Sequence, residues 1–303
     1  MIDRERMTIT DLCDPGRETV HHVRRFLADV TSARQRIVLA ELERSGDSLW
    51  LQVLEGEDRL WLQFAEADES PYHDTLVKGA LARHENPQDV IFLGGGDYLA
   101  WERVRSCRTA RSAKIIDWDK KVGELVLEHF PWVRELGAHL DPRLDWESEV
   151  DITEYLPNTK DRAHVVVGDL GDTAAMMTLI PDFVRHIARI LHPGGVFVTQ
   201  AGPFSVYPPA CQILAHSIAA IRDVFLPEGT VELSWCSIES FASPWAFITA
   251  WKGRKMRSAP PNWGDLERRF DLEQWKRHRS TYEPETHVAA FTIPAHMRRA
   301  IGY

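Results

Sequence analysis

Four aspartates carry the first chemical signal in the sequence. Each closes an apolar, strand-like run: Asp97 follows VIFLGGG, Asp117 follows AKII, Asp151 ends the third such segment and Asp169 follows HVVVG. From Val90 onward these runs alternate with helical stretches, the pattern of a parallel sheet wrapped by helices. Ligands of open α/β sheets bind outside the carboxyl ends of the strands, so the four carboxylates are expected along one ligand-facing edge. Gly94, Gly95 and Gly96 directly follow the first of these strands. Glycine there permits a sharp turn and close approach of backbone to ligand. A glycine cluster alone equally fits a plain tight turn, and the acidic residues after the later strands favour the ligand loop. A carboxylate about twenty residues beyond such a loop can accept both ribose hydroxyls, and Asp117 stands there. Asp151 is placed to accept from an adenine amino group, with Asp97 and Asp169 beyond the nucleoside, toward a reacting end. The G-x-G-x-x-G dinucleotide fingerprint fits poorly, because Leu99 occupies its last glycine position. An adenosyl group without a pyrophosphate, such as S-adenosylmethionine or a relative, is the better fit. Structural roles compete with these: Asp119 can cap a helix starting at Lys120, and Asp151 can cap ITEYL.

The elements that position these residues follow from the patterning. Residues from about 16 to 30 read as helix. RIVLAELE, SLWLQVLE and RLWLQF, separated by SGD and EGED, read as an antiparallel meander. ADESPYHDTLVKGALARH reads as a turn entering a helix, with Pro71 in its first turn. HPGG, His192 to Gly195, ends a helix that begins near Ile180 and turns into the next strand. TVELSWCSI and WAFITAWK read as a closing antiparallel pair, and SAPPNWGD as a flexible linker before a tail that packs back. The expected fold class is α/β: a small N-terminal antiparallel β-domain (residues 1–70, helix plus meander), then a Rossmann-like, methyltransferase-type domain with a C-terminal tail (residues 71–303).

Composition narrows the function. The chain has 303 residues, 44% hydrophobic and 27% charged, with a net charge of −9, which is ordinary for a globular protein. No apolar run approaches the ~20 residues of a membrane span, and the charged start MIDRERMTITDLCDPG does not resemble a secretory signal. Cys13, Cys107, Cys211 and Cys236 are scattered without a C-x-x-C pair, which argues against a zinc or disulfide scaffold and for a reducing cytoplasm. The histidines, including His21–His22, lack metal-ligand spacing, so no metal is expected. Arg24, Arg25, Arg34 and Arg36 cluster in sequence, but acidic residues dominate; they read as a solvated surface, and neither a nucleic acid nor a membrane is expected as partner. An acidic protein suits a cationic small molecule.

Longer motifs then converge. Gln63, Asp68, Glu69, Tyr72 and His73, with Asp74 following, resemble the Q…DE..YHE pattern of the spermidine synthase (polyamine aminopropyltransferase) family. HENPQDVIFLGGGD resembles its H.NP..VL.IGGGD.G, IIDWD its acidic ribose motif, and GDLGD the two aspartates of its D-S-S-D-P. Gln35–Ile37 resembles the start of its N-terminal sheet, Gln200 stands where the family has a glutamine, and YEPETHVAAFTIP resembles its carboxyl-terminal Y..E.H.AAF.LP. The resemblance implies decarboxylated S-adenosylmethionine as co-substrate rather than a tightly bound cofactor, a polyamine amine as acceptor, and a homodimer or homotetramer. It implies that Gly94, Gly95, Gly96, Gln63, Asp97, Asp117 and Asp151 hold the donor, Asp97 taking its aminopropyl amine. It implies that Tyr72, Asp169 and Asp172 receive and act on the acceptor amine, with His73 and Gln200 beside it.

The sequence also departs from that pattern. The loop is GGGDYL rather than GGGDGG, so Tyr98 adds bulk that either shapes the acceptor channel or packs, with Trp101, on the following helix. The acceptor motif reads DLGDTAAMM, Phe183–Val184 replace an aromatic pair, Asp74 is one methylene shorter than glutamate, and FASPW (Phe241 to Trp245) replaces Y-P-S/T-G. These changes gather on the acceptor side. They keep two alternatives open: methyl or aminocarboxypropyl transfer from intact S-adenosylmethionine, and a non-catalytic nucleoside or polyamine sensor. Carboxylates at both ends of the aminopropyl path favour transfer of that group, since they repel a donor that still carries its own carboxylate.

Overall fold

The computed structural model describes the chain except residues 15–16, 55–58, 172–173, 254–259 and 278, and, for side chains, also except 12–14, 174–180 and 277. An antiparallel sheet in sequential order opens the chain: β1 (Ile2–Asp3), β2 (Thr8–Asp14), β3 (Arg17–Thr31), β4 (Gln35–Leu42), β5 (Gly46–Val53) and β6 (Trp61–Ala65). Helix α1 (Glu69–Leu81) leads into β7 (Asp89–Gly94), α2 (Leu99–Arg105), β8 (Ser112–Asp117), α3 (Lys120–His129), α4 (Pro131–Leu136), β9 (Leu144–Ser148), α5 (Ile152–Asn158), β10 (Ala163–Asp169), α6 (Ala174–Ile190), β11 (Leu191–Pro203), α7 (Ala210–Phe225), β12 (Thr230–Ile238) and β13 (Ser243–Trp251). The tail folds as α8 (Trp263–Arg269), α9 (Leu272–Arg277), α10 (Pro284–Phe291) and α11 (Ala295–Ile301). The second sheet runs β12-β13-β11-β10-β7-β8-β9. Its five central and β9-side strands are parallel, and β13 and β12 close it antiparallel. The chain leaves β7 toward β8 and β9, then returns to its other side with β10. The β7/β10 boundary is therefore the topological switch point where α/β ligands bind.

The segment at 16–30 is a strand, not the expected helix. Val23, Phe26, Leu27 and Val30 fall at i, i+3, i+4 and i+7, which mimics a helical stripe. The cause is two register shifts against β4, between Val23 and Arg25 and between Phe26 and Ala28, which break the two-residue alternation of a strand. Pairing with β2 on one side and β4 on the other decides the conformation. The arginines form strand-surface pairs: Arg24 and Arg25 with Glu41, Arg36 with Asp29. Of the expected linker SAPPNWGD, Ser258 and Ala259 lie outside the described residues; Asn262 caps α8 in a reciprocal box with Asp265.

The tail is locked to α1, the helix that carries the YHD run. Asp74 accepts from the Thr281 amide at 2.6 Å and from the Ser280 hydroxyl at 3.0 Å. It pairs with Lys78 at 2.9 Å, and both side chains are buried. The Lys78 ammonium also donates to Ser280 and lies 3.7 Å from the centre of the Trp275 ring. Burial drives its pKa down to about 8 despite Asp74. Phe291 stacks on His287, and Ile293 and Met297 are buried. Removing one partner of a buried ion pair costs about 3–5 kcal/mol. Asp74→Ala should therefore lower the urea-unfolding stability by that order and expose the tail to protease. A loss under about 1 kcal/mol, the scale of an exposed pair, would mean that this clamp is solvated.

Candidate active site

The run from Asp68 to Asp74 spans the N-cap and the first half of α1 and points its polar side chains in different directions. Asp68 accepts from the Ser240 amide and hydroxyl at 2.7 and 2.8 Å, fixing the start of the helix to the β12–β13 connection. Glu69, Tyr72 and His73 then share one face, as i, i+3, i+4 spacing requires. The Tyr72 hydroxyl donates to Asp169 Oδ1 at 2.7 Å. His73 Nδ1 lies 3.1 Å from Glu69 Oε2, and its Nε2 lies 3.9 Å from Asp169 Oδ2. Arg103, from α2, closes on both oxygens of Glu69 at 2.6 and 2.7 Å. Burial alone would raise the pKa of Glu69; Arg103 and His73 hold it below the ordinary value. Burial would likewise disfavour a charged His73, but its contact with Glu69 and the fields of Asp97 and Asp169 outweigh that and raise its pKa.

The glycine loop closes the other side. Gly94 has φ +83°, and a Cβ there would fall on the Asp169 carbonyl oxygen, so β7 and β10 approach this closely only with glycine. A Cβ on Gly96 would lie 2.8 Å from Asp117 Oδ2. The Gly96 amide instead donates to that oxygen at 3.1 Å, and the Asp119 amide to Asp117 Oδ1 at 3.0 Å. Gly95 completes the turn at φ +85°. Asp97 accepts from the Leu99 amide at 2.9 Å. Burial, with repulsion from Asp169 and partial relief from His73, lifts its pKa to about 6. Burial also lifts Asp117 to about 6, against its two backbone donors.

The carboxylates fall in the spatial order Asp169, Asp97, Asp117, Asp151 along the ends of β10, β7, β8 and β9, as the alternating pattern implied. Asp151 follows the end of β9 and caps α5: its Oδ1 accepts from the Thr153 amide and hydroxyl at 2.8 and 2.7 Å. Gln63 is partly buried on β6 and donates to the Trp61 carbonyl at 3.3 Å. Gln200 donates to the Leu170 carbonyl at 2.6 Å and accepts from the Trp245 indole at 3.0 Å, bracing the loop behind Asp169. Asp172 lies outside the described residues. Tyr98 is 5% exposed, and its ring packs edge-on to Trp146 of β9 at 5.1 Å. The structure thus puts its bulk toward the β8–β9 side, away from the Tyr72–Asp169 pair across β7. Its φ of +71° belongs to the left-handed region, which costs a non-glycine residue about 1–2 kcal/mol. Trp101 is fully buried in the core.

Three groups of site residues were not assigned roles from sequence. Arg103 holds Glu69 from the helix behind the glycine loop. Gln35, 3% exposed at the start of β4, donates to Asp119 at 3.0 Å, so the first sheet reaches the turn after β8. Phe241, Trp245 and Phe247 wall in Tyr72: ring centres lie 5.9 Å from Tyr72 to Phe241, 5.3 Å from Tyr72 to Phe247 and 4.7 Å from Phe241 to Trp245. Only FASPW, as a departure from the expected motif, hinted at that wall. No described helix is long and apolar enough to cross a membrane.

A family model for the spermine/spermidine synthase domain matches residues 69–259. A polyamine aminopropyltransferase of Thermococcus onnurineus is 30% identical over 285 residues, covering 92% of this chain and 91% of the relative. Polyamine aminopropyltransferase 2 of Pseudomonas aeruginosa is 31% identical over 254 residues, covering 80% of this chain and 67% of its own length. A crystal structure of spermidine synthase in complex with the transition-state analogue AdoDATO shares the fold with a TM-score of 0.80 at 21% identity, over 99% of this chain and 96% of that one. Spermidine synthase from Thermotoga maritima does so with a TM-score of 0.78 at 21% identity, over 99% and 95%. The family match runs from α1 through β13, the elements that bring together Tyr72, Asp97, Asp117, Asp151 and Asp169, and the chain belongs to the spermine/spermidine synthase family.

Proposed function

We propose that this protein transfers the aminopropyl group of decarboxylated S-adenosylmethionine to an amine of a polyamine, releasing methylthioadenosine. The observation that carries the reading is the Tyr72–Asp169 hydrogen bond, set against an aromatic wall and one strand from Asp97 on the glycine loop. Asp117 receives the ribose hydroxyls, with Asp151 and Gln63 toward the rest of the nucleoside, and Asp97 holds the donor's ammonium. His73, Gln200 and Asp172 border the acceptor. The proposal extends to a cytoplasmic homodimer or homotetramer, with a domain boundary near residue 70.

The reaction is an in-line attack of a neutral amine on the carbon beside a sulfonium. An amine with a pKa near ~10 is mostly protonated at neutral pH, and a carboxylate near ~4 is a weak base for it. Two effects close the gap. The neighbouring sulfonium lowers the acceptor's pKa, as any nearby like charge does. Asp169, oriented by Tyr72 through Oδ1, offers Oδ2 to the departing proton. Alignment in a dry pocket supplies much of the rest. The site's charge suits this donor. Glu69, Asp74, Asp97 and Asp169 face Arg103, Lys78 and His73, so even with all seven ionised one negative charge is left for a cation. The aromatic wall adds a cation–π surface for an ammonium.

The defining experiment offers the protein diamines and polyamines with either decarboxylated or intact S-adenosylmethionine and identifies the nucleoside product by mass spectrometry. Methylthioadenosine formed only from the decarboxylated donor plus an amine is expected. S-adenosylhomocysteine from the intact donor would replace the proposal with methyl transfer. Asp169→Asn should lower kcat by roughly 10²–10⁴, the usual worth of a general base, while methylthioadenosine binding stays near wild type; a near-normal kcat would remove Asp169 from the chemistry. Asp117→Ala should weaken methylthioadenosine binding about 10–100-fold, the loss of one or two hydrogen bonds to a charged group; unchanged affinity would move the ribose elsewhere. The pH profile is a further test. Asp97 must be ionised to hold an ammonium, and Asp117, lifted to the same region, accepts best from the ribose when ionised. So kcat/KM should fall as pH drops through about 6, and Asp97→Asn should leave only the Asp117 contribution to that limb. The raised pKa of His73 moves its own deprotonation above the ordinary imidazole value, away from this acid limb. An acid limb near ~4, the ordinary carboxylate value, would show that Asp97 titrates as a solvated group.

A further inference from the structure

We propose that Asp89, His164 and His192 bind a divalent first-row transition cation of the Zn²⁺ class at the end of the second sheet opposite the active edge. The three residues open β7, β10 and β11, which are parallel neighbours. Val165 pairs with Val90, so His164 stands level with Asp89. On the other side of β10, Ala163 pairs with Leu191 and Val165 with Val196. His192 to Gly195 therefore bulge out opposite the single residue His164. Gly195 makes that possible: a Cβ there would lie 2.9 Å from the His192 carbonyl oxygen and 3.0 Å from that of His164. The bulge brings the two imidazole centres to 4.6 Å. One donor atom from each of the three side chains falls within 4.8 Å of the others.

The donor chemistry fits a borderline cation. Two imidazoles and a carboxylate are a common three-ligand set, which leaves a coordination position to water. Tetrahedral bonds of ~2.0–2.2 Å set ligand atoms roughly 3.3–3.5 Å apart, and His164 Nδ1 already lies 3.1 Å from Asp89 Oδ2. The Asp89 amide points at the same Nδ1 from 3.3 Å. Nδ1 has a single lone pair, so a cation bound there takes the place of this amide hydrogen bond and bridges the nitrogen to Asp89 Oδ2. Ser112 donates to the other oxygen, Oδ1, at 2.7 Å, which turns Oδ2 toward the imidazole as an outer-shell partner does. Two nearby cations are engaged with backbone carbonyls: Lys252 with Ala188 and Leu191, Arg162 with Leu191. His164 and Asp89 side chains are 24% and 40% exposed, so an ion can enter from solvent. The ion would clamp three strand starts and take no part in the transfer reaction.

The competing occupant is a proton on His164 Nδ1, and the test separates the two. Tag-free full-length protein is stripped with EDTA, dialysed, and titrated with Zn²⁺ alone by calorimetry, with bound metal counted by mass spectrometry. About one high-affinity ion per chain is expected, as the three-ligand set implies. His192→Gln and Asp89→Asn should each weaken it at least by the roughly 10–100-fold that loss of even an outer partner costs. His129→Gln, on α3, should bind like wild type. Zinc should raise the thermal midpoint of wild type but not of His192→Gln, because only the intact site binds the folded state. Absence of binding at micromolar free zinc, or equal binding by wild type and both site variants, would overturn the proposal and leave an ordinary His–Asp hydrogen bond.

Discussion

The site depends on one buried contact, the Arg103 guanidinium closed on both oxygens of Glu69. Neither side chain is more than 6% exposed. A buried charge is tolerable only when paired and hydrogen-bonded, so each residue dictates where the other's helix must lie. Glu69 opens α1, and Arg103 sits on α2 just behind the glycine loop. The pair thereby sets the helix carrying Tyr72 and His73 against the loop carrying Asp97. Through His73, which touches Glu69 with one nitrogen and faces Asp169 with the other, the same contact reaches β10. Asp74 continues the chain of charges to Lys78 and the tail. The face of α1 turned to Asp169 and the face turned to the tail are thus consecutive residues of one run.

Topology supplies the remaining precision. Because β10 returns beside β7, Asp97 and Asp169 emerge on adjacent strands, and Asp117 and Asp151 follow outward on β8 and β9. Under the proposed function this ordering would suit a linear ligand, with the nucleoside toward β9 and β8 and the amine toward β10. The raised pKa values of Asp97 and Asp117 follow from the same enclosure. A carboxylate that resists ionisation in the open site gains most from a nearby cation.

Much of this was legible in the sequence, and what was not has identifiable causes. The alternation of apolar runs with helical stretches predicts the second sheet, and the aspartate after each run predicts its ligand edge. Capping was legible too: Asp119 and Asp151 each accept from the amide two residues on. Strand β3 misread as helix because two bulges gave its apolar residues a helical spacing. Arg103 belongs to no motif read from the sequence, and its partner lies 34 residues earlier in the chain. Tyr98 could be read either way, and packing against Trp146, from a remote strand, settles its direction. Such long-range partners leave no periodic trace.

The distribution of departures from the family pattern now has a physical reading. On the nucleoside side, backbone amides of Gly96 and Asp119 hold Asp117, and no side chain can replace them; glycine at 94 and 96 is demanded by contacts shorter than any Cβ allows. That half is constrained by backbone geometry, and GGGD and IID match the family motif, while Tyr98, expected on the acceptor side, packs on Trp146 on this side instead. The acceptor half is built from side-chain packing: Phe241, Trp245 and Phe247 around Tyr72, and Gln200 tied to Trp245. Packed aromatic walls tolerate exchange when volume and patterning are kept. FASPW can therefore replace a different segment while the Tyr72–Asp169 bond persists. The Tyr72–Asp169 bond sits at the switch point between β7 and β10, and on the proposed reading the aromatic wall beside it is where a change of side chains would alter the acceptor while leaving that bond in place.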